Sequence, residues 1–176
     1  SDVYKRQDLL LITCPKSSSV SGVFTKSKTP SAAVIDCKNK VNLKNSSVRC
    51  LVVNSGNANA FTGIKGTNTV NKITKFLSNL YNCSENEVFS SSTGVIGEEL
   101  NPSTITSCIR TKKPSFVNSI EEAAKSIMTT DTFPKYAISK VKYKNFDVNV
   151  TGIAKGSGMI APNMGLSLIH ISEPTR

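Results

Sequence analysis

Histidine is nearly missing from this chain: the 176 residues hold one, His170, close to the C-terminal end. A mechanism that needs an imidazole base, such as a Ser-His-Asp triad, has almost nothing to build on. The 5 cysteines, Cys14, Cys37, Cys50, Cys83 and Cys108, are odd in number and widely spaced. None forms a CxxC pair and no histidine accompanies them, which argues against a zinc site or any other metal centre. Free thiols, buried or half-buried in a reducing compartment, are the default. No stretch approaches the length of a membrane span. The apolar "LLLITC" is too short for a lipoprotein signal, and a threonine precedes its cysteine. A cytoplasmic chain with no membrane partner is expected.

Acidic residues are also scarce, 12 against 22 Lys+Arg, for a net charge of +10. Nucleic acid is the first partner such a balance suggests. However, the lysines are scattered and mixed with asparagine and serine. There is no arginine-rich run and no aromatic platform on which bases could stack. The basic surface reads as a solvated lysine face, and nucleic acid is not an expected partner.

The two ends are related to each other. Asp2 to Gln7 can be encoded as GAT GTG TAT AAG AGA CAG, whose reverse complement translates as Leu-Ser-Leu-Ile-His-Ile, the residues Leu166 to Ile171. Both strands resemble the end of a transposase-based sequencing adaptor, and segments of that kind are set aside before fold reasoning. On this expectation residues 1–7 and 166–176 are adaptor, and 8–165 is one partial domain of a longer gene. His170 then leaves the native segment, and the remaining charge balance stays strongly basic.

Within 8–165, "SGVFTKS" and "SAAVIDCK" are short, β-branched and bounded by Ser, Pro and Lys, which predicts strands. "VRCLVVN" is a continuous apolar run of the kind found in strands buried on both faces. It breaks at the small-residue loop "SGNANAFTG". Val70, Ile73, Leu77 and Leu80 recur at helical spacing in "TNTVNKITKFLSNLYN". "EVFSSSTGVIG" predicts a strand ending in a turn, and "NPSTITSCIRT" a short helix. "PSFVNSIEEAAKSIMT" predicts a helix opened by Pro114-Ser115, with Ile120, Ala124 and Ile127 on one face. "KYAISKVKY" and "NFDVNVTGI" form a hairpin, and "AKGSGMIAPNMG" is a loop. The mixture predicts an α/β or α+β domain.

Four loops concentrate Gly, Ser and Thr: "NSGNANAFTG", "SSTGVIG", "MTTDTFPK" and "IAKGSGMIAPNMG". Small residues allow close backbone approach, and hydroxyls with free N–H groups supply donors for a developing negative charge. The glycine loop fits no stock motif. It lacks the GxxxxGK[ST] order of a phosphate loop and the GxGxxG register of a dinucleotide site. Lys155 stands where a GxSxG nucleophile elbow needs glycine, so Ser157 reads as structural.

In this order, "NSGNANAFTG", "SSTGVIGE", "IMTTDTFPK" and "GIAKGSGMIAPNM", with the approach "DLLLI...SGVFTK", resemble the glutamate N-acetyltransferase (ornithine acetyltransferase) family of arginine biosynthesis. One such loop is a weak signal, but the ordered set is specific and covers nearly all of 8–165. The resemblance implies a layered α/β sandwich like that of N-terminal-nucleophile hydrolases, here incomplete. It implies a bifunctional acyltransferase that moves an acetyl group from N2-acetylornithine to glutamate, with acetyl-CoA a second donor in some members and no cofactor. It also implies a precursor that cuts itself before a threonine, normally within Pro-Asn-Met-Ala-Thr. Pro162-Asn163-Met164 match, Gly165 replaces alanine, and Leu166 stands where the threonine belongs. The cut is thus expected directly after Gly165, and the threonine is absent from this chain.

That threonine would use its own amine as base, which removes the need for histidine. Position in "SSTGV" places the oxyanion hole on the Thr93 hydroxyl and the Gly94 N–H. Thr132 in "TTDT" and Lys155 in "IAKGSG" fall on substrate-contacting positions. An ammonium at Lys155 suits substrates that carry an α-carboxylate. Asp131 reads as a turn cap without a catalytic role, and "NSGNANA" as packing under the site or as support for self-cleavage. The implied partner is a beta chain from the same precursor, with two alpha and two beta chains, and these 176 residues are expected to be inactive alone. Against this stand two other readings: a non-catalytic small-molecule or anion-binding domain using the same loops, and a basic nucleic-acid-binding module.

Overall fold

The computed structural model describes residues 9–112 and 119–155. Strands β1 (Leu9–Ser19), β2 (Ser47–Asn57) and β3 (Val88–Val95) form a sheet in the order β1-β2-β3. β2 runs antiparallel to β1 and parallel to β3. The parallel pair requires a crossover, supplied by α2 (Gly63–Tyr81) and a 3-10 turn at Glu85–Glu87. A second sheet is the hairpin of β4 (Lys135–Tyr143) and β5 (Phe146–Ala154). Helices α1 (Ala32–Val41), α3 (Pro102–Lys112) and α4 (Ile120–Ser126) complete the described elements. The domain is mixed α/β, as expected.

β2 lies between two neighbours and buries residues on both faces, which is why its sequence runs apolar without alternation. On one face Cys50 and Val52 join Val88 of β3, Ile73 and Leu77 of α2, and Leu100, Ile105 and Ile109 around α3 in a single apolar cluster. Leu77 is fully enclosed, a burial that contributes about 1.5–3 kcal/mol. The opposite face carries Leu51, Val53 and Ser55, and there the Ser55 hydroxyl donates to the Ser126 carbonyl at the end of α4 (3.0 Å).

Two predicted strands are absent. Residues 21–27 have no regular structure, and Val23 is largely exposed. Residues 32–38 lie in α1, whose N-cap Ser31 accepts from Val34 N–H. The helix is held against edge strand β3 by polar groups rather than by an apolar stripe. Lys40, itself buried, donates to Asp36 (2.7 Å) and to the Val88 carbonyl (2.8 Å), and the Cys37 thiol donates to the Ser90 carbonyl (3.2 Å). A helix docked in this way shows little hydrophobic periodicity. β1 went unpredicted as a strand, and β2 extends to Asn57, through the first residues expected to be loop. The described N-cap of α4 is Ser119, not the expected Pro114-Ser115, which lie outside the described residues.

Candidate functional site

The C-terminal ends of β2 and β3 meet where Ser55 pairs with Thr93 and Gly56 with Gly94. The register then slips, so that Asn57 opposes both Thr93 and Val95, a bulge of the type that re-aims backbone groups near sites. Gly94 has φ +143, and a Cβ there would lie 2.1 Å from the Gly56 carbonyl carbon. No side chain fits between the two strands at this point. Beyond it the backbones stay joined: Ala58 N–H donates to the Val95 carbonyl and Gly97 N–H to the Ala60 carbonyl, both at 2.9 Å.

Three buried asparagines brace this junction. Asn54 donates to the Asn57 carbonyl (2.9 Å) and accepts from the Ser92 hydroxyl (2.6 Å). Asn57 donates to the Glu98 carbonyl (3.1 Å) and accepts from Asn59 N–H (2.7 Å). Asn59 donates to the Gly66 carbonyl (3.0 Å), and its amide oxygen accepts from the Thr62 hydroxyl. Buried amides are tolerated because they are paired, and a fully paired network is rigid. "NSGNANA" therefore packs as the scaffold under Thr93-Gly94. Thr93 itself is half-buried. The pairing puts its side chain on the Ser55 face of the sheet, the face that α4 occupies.

The Ser55–Ser126 hydrogen bond leads from this junction into the α4–β4 loop. Here the Asp131 side chain, 1% exposed, accepts from Thr129 N–H (3.1 Å) and from the Lys135 ammonium (2.7 Å). Lys135 also lies over the Phe133 ring, 4.8 Å from its centroid. The Lys155 ammonium reaches the Thr129 hydroxyl at 3.5 Å. Burial holds the Lys155 ammonium below the usual lysine range, and the Asp131 charge opposes that shift. Thr132, at the loop surface, is exposed. The fold thus gathers Thr129, Asp131, Thr132 and Lys155 at one end of the hairpin. No hydrogen bond among the described residues joins Thr93 to Thr132 or Lys155. Gly165 and the residues of the proposed cut lie outside the described residues.

The cysteines are free thiols. Burial pushes Cys50 up to about 12 and also raises Cys37 and Cys83, so these three stay neutral and unreactive near neutral pH. Among the described residues no group of three His, Cys, Asp or Glu is placed to hold a metal ion, and no helix is long and apolar enough to cross a membrane.

Comparison with known proteins decides the lineage. The ArgJ family model matches residues 2–172 of the chain. The chain belongs to the ArgJ family. It is 48% identical over 171 residues to the arginine biosynthesis bifunctional protein ArgJ of Bartonella henselae, covering 94% of this chain and 40% of the relative. With the protein of the same name from Bradyrhizobium diazoefficiens it shares 48% over 172 residues, or 96% of this chain and 41% of the relative. The chain therefore spans about 40% of the length of these curated relatives. Its fold is similar to the crystal structure of the Bacillus halodurans ArgJ protein, with a TM-score of 0.82 at 33% identity over 92% of this chain and 85% of that one. It is also similar to the ornithine acetyltransferase of Mycobacterium tuberculosis complexed with ornithine. There the TM-score is 0.72 at 28% identity, over 89% of this chain and 83% of the other.

Within this ArgJ-family fold the loop motifs nominate Thr93, Gly94, Thr132 and Lys155 as candidates, but two features around them were not legible in the sequence. "NSGNANA" was expected to pack under the site or to support self-cleavage, but the pairing of its asparagines was not legible, because asparagine favours turns and a buried network leaves no periodic trace. Asp131 was read as a cap, which it is for Thr129. Its burial and its bond to Lys135 were not legible, although the spacing of 131 and 135 could have suggested a local ion pair.

Proposed function

We propose that this ArgJ-family chain forms the first part of a cytoplasmic acetyltransferase that moves an acetyl group from N2-acetylornithine to glutamate. The observation that carries the reading is the Thr93-Gly94 turn, pinned against Gly56 and braced by buried asparagines. A hydroxyl and an N–H from adjacent residues on one rigid support are the donors that stabilising a developing oxyanion would use. The names of the relatives, arginine biosynthesis bifunctional protein and ornithine acetyltransferase, agree with that chemistry.

In this mechanism the precursor cuts itself after Gly165 and frees a threonine that begins the second chain. The threonine amine takes the proton of its own hydroxyl, whose oxygen attacks the acetyl carbonyl of N2-acetylornithine. Thr93 and Gly94 stabilise the oxyanion until the C–N bond breaks and ornithine leaves with the proton. The acetyl-threonine ester is then attacked by the glutamate amine, which regenerates the hydroxyl. Lys155 and Thr132 hold the substrate, with the ammonium facing the α-carboxylate. The assembly pairs two such first chains with two second chains, and acetyl-CoA is an alternative donor.

The test is to express the intact gene and follow ornithine and N-acetylglutamate production from N2-acetylornithine and glutamate. Thr93→Val should lower kcat by about 100- to 1000-fold, the usual cost of one lost oxyanion donor. Wild-type kcat in that variant removes Thr93 from the mechanism. Turnover by the 176-residue chain alone contradicts a nucleophile supplied from downstream.

A further inference from the structure

We propose that Asp131 is the positioning residue for Lys155: its buried carboxylate fixes the turn on which the ammonium rests and leaves one positive charge uncompensated for a substrate carboxylate. This rests on the reading of Lys155 as the substrate-carboxylate contact. Three observations support it. The Asp131 side chain is 1% exposed, and a carboxylate so enclosed must be paired. One of its oxygens is committed to Lys135 at 2.7 Å and the other to Thr129 N–H at 3.1 Å. Lys155 then reaches the hydroxyl of that same Thr129, and no ion pair involves Lys155 among the described residues.

The charges explain the arrangement. Among the described residues, one carboxylate and two ammonium groups face one another at this end of the hairpin: Asp131, Lys135 and Lys155. On the neighbouring helix Lys125 bonds Glu121 at 2.6 Å, both partly exposed, so that pair is satisfied within α4. Lys135 neutralises Asp131 by direct contact, which leaves the cluster one positive charge in excess. An α-carboxylate is the complement of that excess. Burial disfavours the charged form of Lys155, and the Asp131 field opposes this. Without it the ammonium would lose its proton more readily, and the turn carrying Thr129 would lose its cap.

Lysine-selective NMR titration of the 176-residue chain, with Lys155→Met to identify the signal, tests the electrostatic part. In Asp131→Asn the Lys155 midpoint should fall, because the carboxylate that opposes the burial effect is gone, with the exposed lysines unmoved. An unchanged midpoint overturns the proposal. Where Asp131→Asn fails to fold by circular dichroism, Asp131→Glu decides. A Lys155 midpoint kept by the retained charge supports the proposal, and a fall overturns it.

In the intact precursor, Asp131→Asn should raise KM for N2-acetylornithine about tenfold with kcat within about twofold. Its activity should also fall off at lower alkaline pH than wild type, and Asp131→Glu should recover part of the KM. A fall in kcat at unchanged KM marks a merely structural residue and overturns the assignment. If the wild-type precursor transfers no acetyl group, the reading of the activity fails, while the NMR titration still decides what Asp131 does to Lys155.

Discussion

The two sheets formed by the described residues are built on opposite terms. In the three-stranded sheet the strand ends are held by polar groups sealed from water: Asn54, Asn57 and Asn59 are buried, and so is the apolar cluster around Cys50 and Leu77. The β4–β5 hairpin exposes apolar side chains instead. Phe146 is 71% exposed, Tyr143 63% and Ile138 62%. The register puts Val141, Tyr143, Phe146, Val148 and Val150 on one face. Among the described residues α4 is the helix that packs on the hairpin. The contrast shows where structural precision resides. The first sheet carries its own core and fixes Thr93-Gly94, while the hairpin contributes mainly the approach of Lys155.

The sharpest way to break this comparison is Gly94→Ala. A methyl group 2.1 Å from the Gly56 backbone cannot be accommodated without separating the strands. We expect a loss of more than about 4 kcal/mol in urea unfolding, the range reserved for backbone conflict in a core. A loss below 1 kcal/mol in that measurement, on the order of an ordinary surface change, would mean that the crossing yields easily.

The next largest effect contrasts one residue from each sheet region. Leu77→Ala should cost about 2–5 kcal/mol, because the cavity it leaves lies in the shared cluster. Phe146→Ser should change stability by no more than about 0.5 kcal/mol. If the two variants destabilise equally, the hairpin is part of the same cooperative core and the distinction fails.

The smallest effect is a pH dependence centred on Cys50 of β2. Cys50 is raised from 9.0 to about 12, and Cys37 and Cys83 are raised as well. In the unfolded chain these thiols ionise near their ordinary value, so the folded form binds more protons above it. Their contribution to stability is full below about pH 9 and is lost as pH rises toward 12. Unfolding midpoints in urea between pH 9 and 11 should fall in the wild type and less steeply in Cys50→Ala. Parallel lines would assign the alkaline loss to other groups.

What could be read from the sequence follows from how each element is buried. β2, α2 and β3 bury apolar residues at strand or helix spacing, so their patterns were visible. The hairpin was visible because its residues alternate and its turn is short. α1 misled because its contacts come from Lys40, Asp36 and Cys37 rather than from a stripe, and Val34 and Ile35 suggested a strand. At the candidate site the ordered loops pointed to Thr93, Gly94, Thr132 and Lys155, and the proposed function rests on them. The buried state of Asp131 depends on partners that the fold supplies, and no local pattern encodes it.

The contact between Gly56 and Gly94 has a mechanical consequence. With no side chain between the two strands, there is no soft layer to absorb displacement. The segments 54–60 and 93–97 must therefore travel as one body, so any force applied to either, by a bound molecule or by a neighbouring polypeptide, is felt at Thr93 without attenuation.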